Sequence, residues 1–351
     1  MQKCIVLAAV LAAGWTAPVR AQGLEGACAG VPAAYMDRCI ATAQTAAALQ
    51  PALGIAIAGG NPTPGALGAG GGRLFGLPGV SASFRLNVAS VHLPEITQER
   101  DVDAPPPLTE ALSVVTVALG ATASVGITQG VGGVGALDLL GNATYLPFDL
   151  VNREVYKTES AQFAWGVGAR VGLLRESAGL PGVAVSVMRR QAGGVQVGNV
   201  CEGRDLPDPI STESPPTTLC RADGDVGDVN VDLAGWSTRG MVGKTVGPVG
   251  LAAGVGYDRY ESDVALSVRG ELSGSGQTGA HRIYHRTGRT LETSRWSAFL
   301  DAAAQLPVGS LSAELGWMQG GDALPGFAAD SDFDPSGGTW FGSLGVRLAT
   351  W

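Results

Sequence analysis

Hydrophobic and polar residues alternate with a period of two over most of the chain, most clearly in residues 162–190. Bulky apolar side chains occupy the odd positions from 163 to 173, whereas small or charged residues, including Arg170, occupy the even positions. After a glycine- and proline-containing turn at 176–182, Val183 begins a second apolar row. This pattern predicts two strands of a hairpin with one apolar and one polar face. In a soluble sandwich the apolar face points inward, but in a membrane-spanning barrel it points outward to the lipid.

Similar alternating segments recur along the rest of the chain and are separated by turns rich in glycine and proline. They cover residues 80–88, 115–127, 137–145, 228–242, 249–257, 296–305, 311–317 and 340–348. With the hairpin, these segments predict ten strands. Two weaker segments, 53–59 and 65–76, raise the predicted count to about 12, within a range of roughly 10–14.

The predicted connections alternate between short and long. The short ones lie at 77–79, 129–133, 176–182, 245–248 and 306–309. The long ones contain most of the Asp, Glu and Pro residues. An outer-membrane barrel shows this asymmetry, with tight periplasmic turns and long extracellular loops, and a soluble sandwich gives no reason for it. The fold class predicted is therefore an all-β, transmembrane, antiparallel up-and-down barrel, with both chain ends on the short-turn side.

The first 21 residues have the pattern of a secretory signal peptide. Lys3 provides a positive start, residues 4–17 are mostly apolar, and Ala21 suits cleavage. An N-terminal membrane anchor is the alternative, but the apolar run is shorter than the roughly 20 residues that a span needs. We therefore expect export of the mature chain.

Residues 22–52 form the second predicted segment, and residues 53–351 the barrel. Pro32 can begin a helix, the alanine-rich run that follows can continue it, and Pro51 is expected to end it. Two placements remain open for this helix: a plug inside the barrel or a periplasmic segment outside it.

Charge and composition support this class. Only 15% of the 351 residues are charged, against about 25% in soluble domains, which is too little to cover a long soluble protein. The formal net charge is −8, and loss of Lys3 and Arg20 with the signal peptide makes it more negative. A nucleic acid or an anionic surface is therefore not an expected partner.

Four cysteines remain after cleavage, in two local pairs. Cys28 lies near Cys39, and Cys201 lies near Cys220. Two local disulfides are the natural assignment in an exported chain, although other pairings stay open. A zinc site is not predicted, because no Cys-x-x-Cys is present and the histidines lie elsewhere.

Other motifs give no sign of catalysis. Residues 130–135 and 274–279 match Gly-x-Gly-x-x-Gly, but in a chain with 53 glycines such matches arise by chance, and a strand follows the first one where nucleotide binding needs a helix. His281 and His285 lie in a segment without helix signals, so a solvated loop is favoured over a metal site. We therefore predict no enzyme activity, no cofactor and no metal.

Charged residues of both signs share the inward parity of the predicted strands. They are Arg85, Asp138, Arg170, Arg190, Asp258, Asp301, Glu314 and Arg347. These candidate lumen-lining residues have two interpretations. They could neutralise one another in pairs that fill a narrow barrel, or they could form a polar constriction that orients a solute.

From Leu53 to Trp351 the chain resembles bacterial outer-membrane β-barrel proteins, whose assembly signal ends in an aromatic residue. Trp351 matches that residue, whereas Val346 and Leu348 lie on the opposite parity to the usual pattern. The resemblance implies a location in the bacterial outer membrane, with outer-membrane lipid and the barrel-assembly machinery as partners. The N-terminal helix followed by Asn61-Pro62 is also similar to the FadL family of hydrophobic-compound transporters.

The function expected from these features is passive transport of a small solute, and the FadL resemblance implies a hydrophobic one. The alternative is a non-conducting structural or surface-binding barrel that acts through its extracellular loops, above all the loop between Cys201 and Cys220.

Overall fold

The computed structural model describes residues 24, 26–66, 73–74, 77–94, 96, 111–128, 130, 135–147, 162–198, 205–207, 218–220, 226–272, 281–325 and 333–349. Within these ranges the chain forms one long helix, ten long strands and two short two-stranded ribbons. The predicted signal peptide, residues 1–21, lies outside the described residues.

The ten long strands pair in sequence order and close into an antiparallel barrel. They are β1 (Val80–Pro94), β2 (Ala111–Thr128), β3 (Ala136–Leu146), β4 (Gln162–Leu174), β5 (Gly182–Gly198), β6 (Val226–Val246), β7 (Val249–Leu272), β8 (His281–Leu306), β9 (Gly309–Met318) and β10 (Thr339–Ala349). β10 returns to pair with β1, with Trp340 opposite Ser90 and Ala349 opposite Ser81. The up-and-down barrel predicted from the sequence is confirmed, but it closes with ten strands instead of about 12.

The two weaker segments are not barrel strands. Residues 53–58 continue the N-terminal helix, which passes through Pro51 to Ala58. Within 65–76, Arg73–Leu74 pairs only with Leu77–Pro78 in a short ribbon. The physical reason is closure: once β10 pairs with β1, no strand edge is left, and a segment inside the barrel satisfies its backbone best as a helix.

The outer face of the barrel is apolar, as expected for a barrel whose apolar side chains point outward to lipid. Phe163 is 66% exposed, Leu300 65% and Leu344 62%, and these side chains belong to strands around the wall. On β7 the outward row is apolar from Val249 to Tyr257 and then changes to the charged, exposed residues Arg259, Glu261 and Asp263. A lipid-facing band about 25 Å tall accounts for that change.

Aromatic side chains mark the upper edge of this band, towards the long loops. The rings of Tyr257 and Trp296 lie 4.9 Å apart, centroid to centroid, at the level where the charges of β7 begin. Tyr145 and Phe163 form a second pair at 5.3 Å, and Trp236 stacks under Arg189 at 5.5 Å. Such a girdle lies at a membrane–water interface.

The helix, α1 (Ala33–Ala58), runs through the lumen. By length and hydropathy Tyr35–Ala58 could cross a membrane, but 89% of the 18-residue window that meets this test is buried inside the protein. Its small side chains match a narrow lumen, and a helix with no polar stripe is expected where protein surrounds it on all sides. The described helix therefore lies inside the barrel.

Its direction is set by contacts at both ends. Near the start, Nε2 of His285 lies 3.0 Å from the carbonyl oxygen of Ala27, and Cys39 packs with Val268, both close to the long connection between β7 and β8. At the other end, Gly65 lies against Ser310, next to the tight turn between β8 and β9. The chain before α1 thus lies at the long-loop end, opposite to the side the sequence pattern predicts.

A disulfide joins Cys28 to Cys39, which confirms the first predicted pair. It ties the turn at 26–30 to the first turns of α1. The second predicted pair, Cys201 with Cys220, involves a position outside the described residues. Cys220 itself lies in the ribbon formed by Thr218–Cys220 and Asp205–Pro207.

Candidate functional site

The plug comprises α1 and the segment 59–66 that follows it. Every residue from 51 to 66 is buried, and between 41 and 66 only Ala48 is partly exposed. The lumen is therefore filled by the chain's own N-terminal segment along the described part of its length.

The end of α1 leaves carbonyl groups without helical partners, and side chains from the barrel wall donate to them. Asn87 donates to the carbonyl oxygen of Ala56 at 2.7 Å, and Arg85 donates to that of Ala58. Arg239 donates to the carbonyls of Gly59 and Gly60 at 3.2 and 3.1 Å. We call Arg85, Asn87, Arg239 and Glu314, together with residues 56–61, the latch. Its arginines also complement the negative end of the helix dipole.

Glu314 holds the opposite side of the same turn. Its carboxylate accepts hydrogen bonds from the backbone N–H groups of Gly60 and Asn61 at 2.8 and 2.5 Å. The Asn61 side chain donates to Asp301 at 2.8 Å and accepts from the N–H of Thr63 at 3.0 Å, which closes an Asx turn. This polar segment is thus satisfied by the wall even though it is buried.

Further wall residues hold the segment below the latch. Arg170 donates to the hydroxyl of Thr63 and to the carbonyl of Ala66, the latter at 3.1 Å. Asp138 lies opposite Arg170 in the β3–β4 register, and its charge also acts on Arg347. The wall therefore contacts the plug by hydrogen bonds as far as the short-turn end.

A third group holds the middle of the helix. The Gln50 amide donates to Ser262 at 2.7 Å and to the carbonyl of Leu291 at 3.0 Å, and its oxygen accepts from Thr293 at 2.5 Å. Each polar atom of this side chain is paired with the wall. Such pairing fixes both the depth and the rotation of α1.

The charged residues act mainly on the plug and less on one another. Arg239 and Asp258 form a buried ion pair at 2.9 Å, with side chains 3% and 0% exposed. Arg190 donates to the hydroxyl of Ser237. The described residues contain no cluster of His, Cys, Asp or Glu that could hold a metal ion. The arrangement of these residues holds a segment in place.

The structure places seven of the eight sequence-predicted charges in the buried interior and leaves Arg347 partly exposed. Arg85, Asp301 and Glu314 meet at the latch, Asp258 joins Arg239, and Asp138, Arg170 and Arg347 gather near the short-turn end. Whether they line a path for a solute stays a prediction.

Arg239, Asn87 and Gln50 are not among the residues predicted from the sequence, and Asn61 was noted there only for the FadL resemblance. Arg239 could have been found from parity, because Trp236 and Val242 on the same strand are exposed and alternate with it. The other three bind to or lie on the plug, whose position no strand pattern predicts.

No protein-family model and no curated protein sequence matches this chain. Solved structures that resemble it include the transport unit of the autotransporter AIDA-I from Escherichia coli, at 9% identity over 78% of this chain and 90% of that one, with a TM-score of 0.32. The translocator domain of NalP from Neisseria meningitidis is 12% identical over 77% of this chain and 88% of that one, with a TM-score of 0.30. The toluene transporter TodX from Pseudomonas putida is 9% identical over 84% of this chain and 96% of that one, with a TM-score of 0.26.

Because these TM-scores are low, the location is argued from the molecule's own surface and not from these likenesses. A closed barrel has no unpaired strand edge, and this one carries an apolar band with an aromatic girdle. The protein is a β-barrel of the bacterial outer membrane.

Proposed function

We propose that this protein is a non-conducting outer-membrane barrel, sealed by its own N-terminal helix, that acts by binding partners at its long-loop end. The observation that carries the proposal is the plug: residues 51–66 are buried without exception, and wall side chains hold the turn after α1. A barrel built for passive diffusion needs a continuous path, and a helix fixed along the lumen obstructs it.

The long-loop end has the features of an exposed binding surface. β7 and β8 continue beyond the apolar band, and their outer faces carry exposed charges of both signs, among them Arg259, Glu261, Asp263 and Arg286. The disulfide-bonded turn before α1 lies at the same end. Charged, rigid strand extensions of this kind suit recognition of a polar macromolecule more than contact with lipid.

Conductance of the purified protein tests this proposal. We expect no steady current when the wild-type barrel is inserted in planar bilayers, and no swelling of proteoliposomes in arabinose, because the plug fills the lumen. An unplugged porin of similar strand number serves as the positive control. Steady single-channel steps from the wild type would contradict a sealed barrel.

Epitope insertion tests the direction of the plug. Gly26 and Gly247 form a matched pair, since both have positive φ and open space around the Cβ position. An epitope inserted after Gly26 should bind antibody on intact cells, because this turn lies at the long-loop end. The same epitope after Gly247 should bind only after the outer membrane is permeabilised. The opposite labelling would place the long loops in the periplasm.

Solute transport is the second candidate, and the composition of the wall behind the plug favours it. Small polar residues line that wall, including Ser81, Ser83, Thr116, Thr122, Thr144, Ser186, Ser237, Ser262, Thr293, Ser297, Ser310, Ser312 and Ser343. If α1 left the lumen, the remaining wall would be hydrophilic enough to carry water and a small solute. This route requires the latch to open in the wild-type protein, so the wild-type conductance distinguishes the two candidates.

A further inference from the structure

A cavity of about 350 Å³ lies beside the plug at the long-loop end. One side is the α1 surface around Gln44, Ala47 and Ala48, and the opposite side is formed by β8, the end of β9 and the connection between β9 and β10. Exposed residues of that connection form its rim. The small alanine side chains of α1 leave this space open where the rest of the helix contacts the wall closely.

Arg295 of β8 is the buried cation in the lining of this cavity, whereas His92 and Asp334 in the same lining are exposed. Its side chain is buried at 3% exposure, and its Nη1 donates to the carbonyl of Ser294 at 3.0 Å. Its Nε is buried without a hydrogen-bond partner. A Cβ at Gly321 would meet Nη2 of Arg295, so glycine at this position lets the loop lie against the guanidinium without displacing it. A buried donor of this strength without a partner is costly unless a ligand or water accepts from it.

Apolar side chains form much of the remaining lining. Val91, Met318 and Phe333 are all buried and border the cavity. The loop is held across it by Gln44, whose side-chain oxygen accepts from the N–H of Leu324 at 2.8 Å. The volume lies at the small end of the range for ligand pockets, roughly 300–1,000 Å³. A compact apolar body fits both the lining and the size.

The negative groups nearby limit the charge of a ligand. Asp322 is exposed and close enough to act electrostatically on Arg295. Asp334, also exposed, accepts hydrogen bonds from the N–H and hydroxyl of Ser336 at 2.9 and 2.7 Å, which lowers the pKa of its carboxyl and turns it towards its own loop. Because these two carboxylates lie near the single guanidinium, a ligand with one negative charge is favoured over a ligand with two.

We propose that this cavity binds a small monocarboxylate with a compact apolar body, such as an aryl-substituted short-chain acid. The planar carboxylate would accept from the Arg295 guanidinium, whose fork of donors matches that group, and the apolar body would lie between Ala47 and Phe333. The site is reached from the long-loop end and does not depend on whether the barrel conducts.

Isothermal titration of the full-length protein in detergent micelles tests this site, with 4-phenylbutyrate as the probe. We expect saturable binding at one site. The neutral 4-phenylbutan-1-ol and the cationic 4-phenylbutylamine have nearly the same shape, and both should bind at least about 10-fold more weakly, because neither offers a carboxylate to the guanidinium. Equal binding of the acid and the alcohol would overturn the assignment, as would absence of saturable binding by the acid.

Two variants locate the binding. Arg295→Gln should weaken 4-phenylbutyrate binding by about 10- to 100-fold and leave the alcohol unaffected. Ala47→Leu keeps the charge but fills the cavity, and it should weaken the acid and the alcohol alike. Arg175→Gln, at an exposed arginine beside the short turn after β4, is the matched control and should bind as the wild type does. Unchanged binding of the acid by Ala47→Leu would overturn the cavity as its location, even if Arg295→Gln failed to fold.

Discussion

Replacing Arg239 by alanine is expected to lower the free energy of unfolding by about 3–5 kcal/mol and to admit ions through the barrel. The substitution leaves Asp258 as a buried carboxylate without its ion-pair partner, and it removes the donors to the carbonyls of Gly59 and Gly60. The end of α1 then loses one of its main attachments to the wall. Urea unfolding of the reconstituted protein measures the first effect, and current recordings in planar bilayers measure the second.

Arg259 of β7 offers the matched control for this substitution. It also forms an ion pair, with Glu292 at 3.0 Å, but the two side chains are 62% and 43% exposed. Because an exposed pair contributes little, Arg259→Ala should stay within about 1 kcal/mol of the wild type and remain silent in bilayers. Equal stability losses in the two variants would show that the latch does not hold the plug. Absence of current from Arg239→Ala would show that Arg239 is not needed to keep the barrel sealed.

Placing an arginine at Leu344 is expected to destabilise the inserted barrel by about 2–4 kcal/mol, the cost of this residue near the bilayer midplane. Leu344 lies mid-way along β10 with its side chain 62% exposed, and its strand neighbours Leu86 and Ala313 share the same outer face. In a soluble protein the same exposure would make the change harmless. Unfolding in lipid vesicles of defined thickness measures the difference.

The control for this prediction is Thr290→Arg. Thr290 is also exposed, but it lies on β8 above the apolar band, at the level of Asp263 on the neighbouring strand. There the new guanidinium stays in water, so we expect little change in stability. If both arginine variants had the same stability as the wild type, the outer band would not face lipid.

The orientation of the strand faces could be predicted from the sequence because a strand has a period of two. Once Phe163 and Trp165 are assigned to the lipid, Arg170 on the other parity must face inward, and it does. The same reasoning places Glu314 inside relative to Leu315. The lengths and charges of the connections also predicted which end of the barrel carries the long loops and which carries the short turns.

The plug could be predicted only in part. Helical propensity and Pro32 indicate where α1 begins, but Pro51 does not end it, because the segment that follows is buried inside a closed barrel and has no strand to pair with. For the same reason the strand count was too high. The partners of Arg85 and Arg239 are mostly backbone carbonyls of the plug, and backbone acceptors leave no signature in a sequence. The sequence therefore suggested that the inward charges pair with one another, but it did not show that several of them bind the plug.

An engineered disulfide between α1 and β6 tests most directly that the helix lies inside the barrel. A Cβ built on Gly227 would lie 3.4 Å from the Cβ of Thr42, close to the roughly 3.5–4.5 Å found in disulfides. Thr42→Cys combined with Gly227→Cys should therefore cross-link on oxidation, and mass spectrometry of the digested protein should recover the peptide of residue 42 joined to that of residue 227. Thr42→Cys combined with Gly288→Cys, a position with open space around it, should give no such cross-link. Recovery of the two peptides unlinked from the first variant, after oxidation of the folded protein in vesicles, would contradict a plug held inside the lumen.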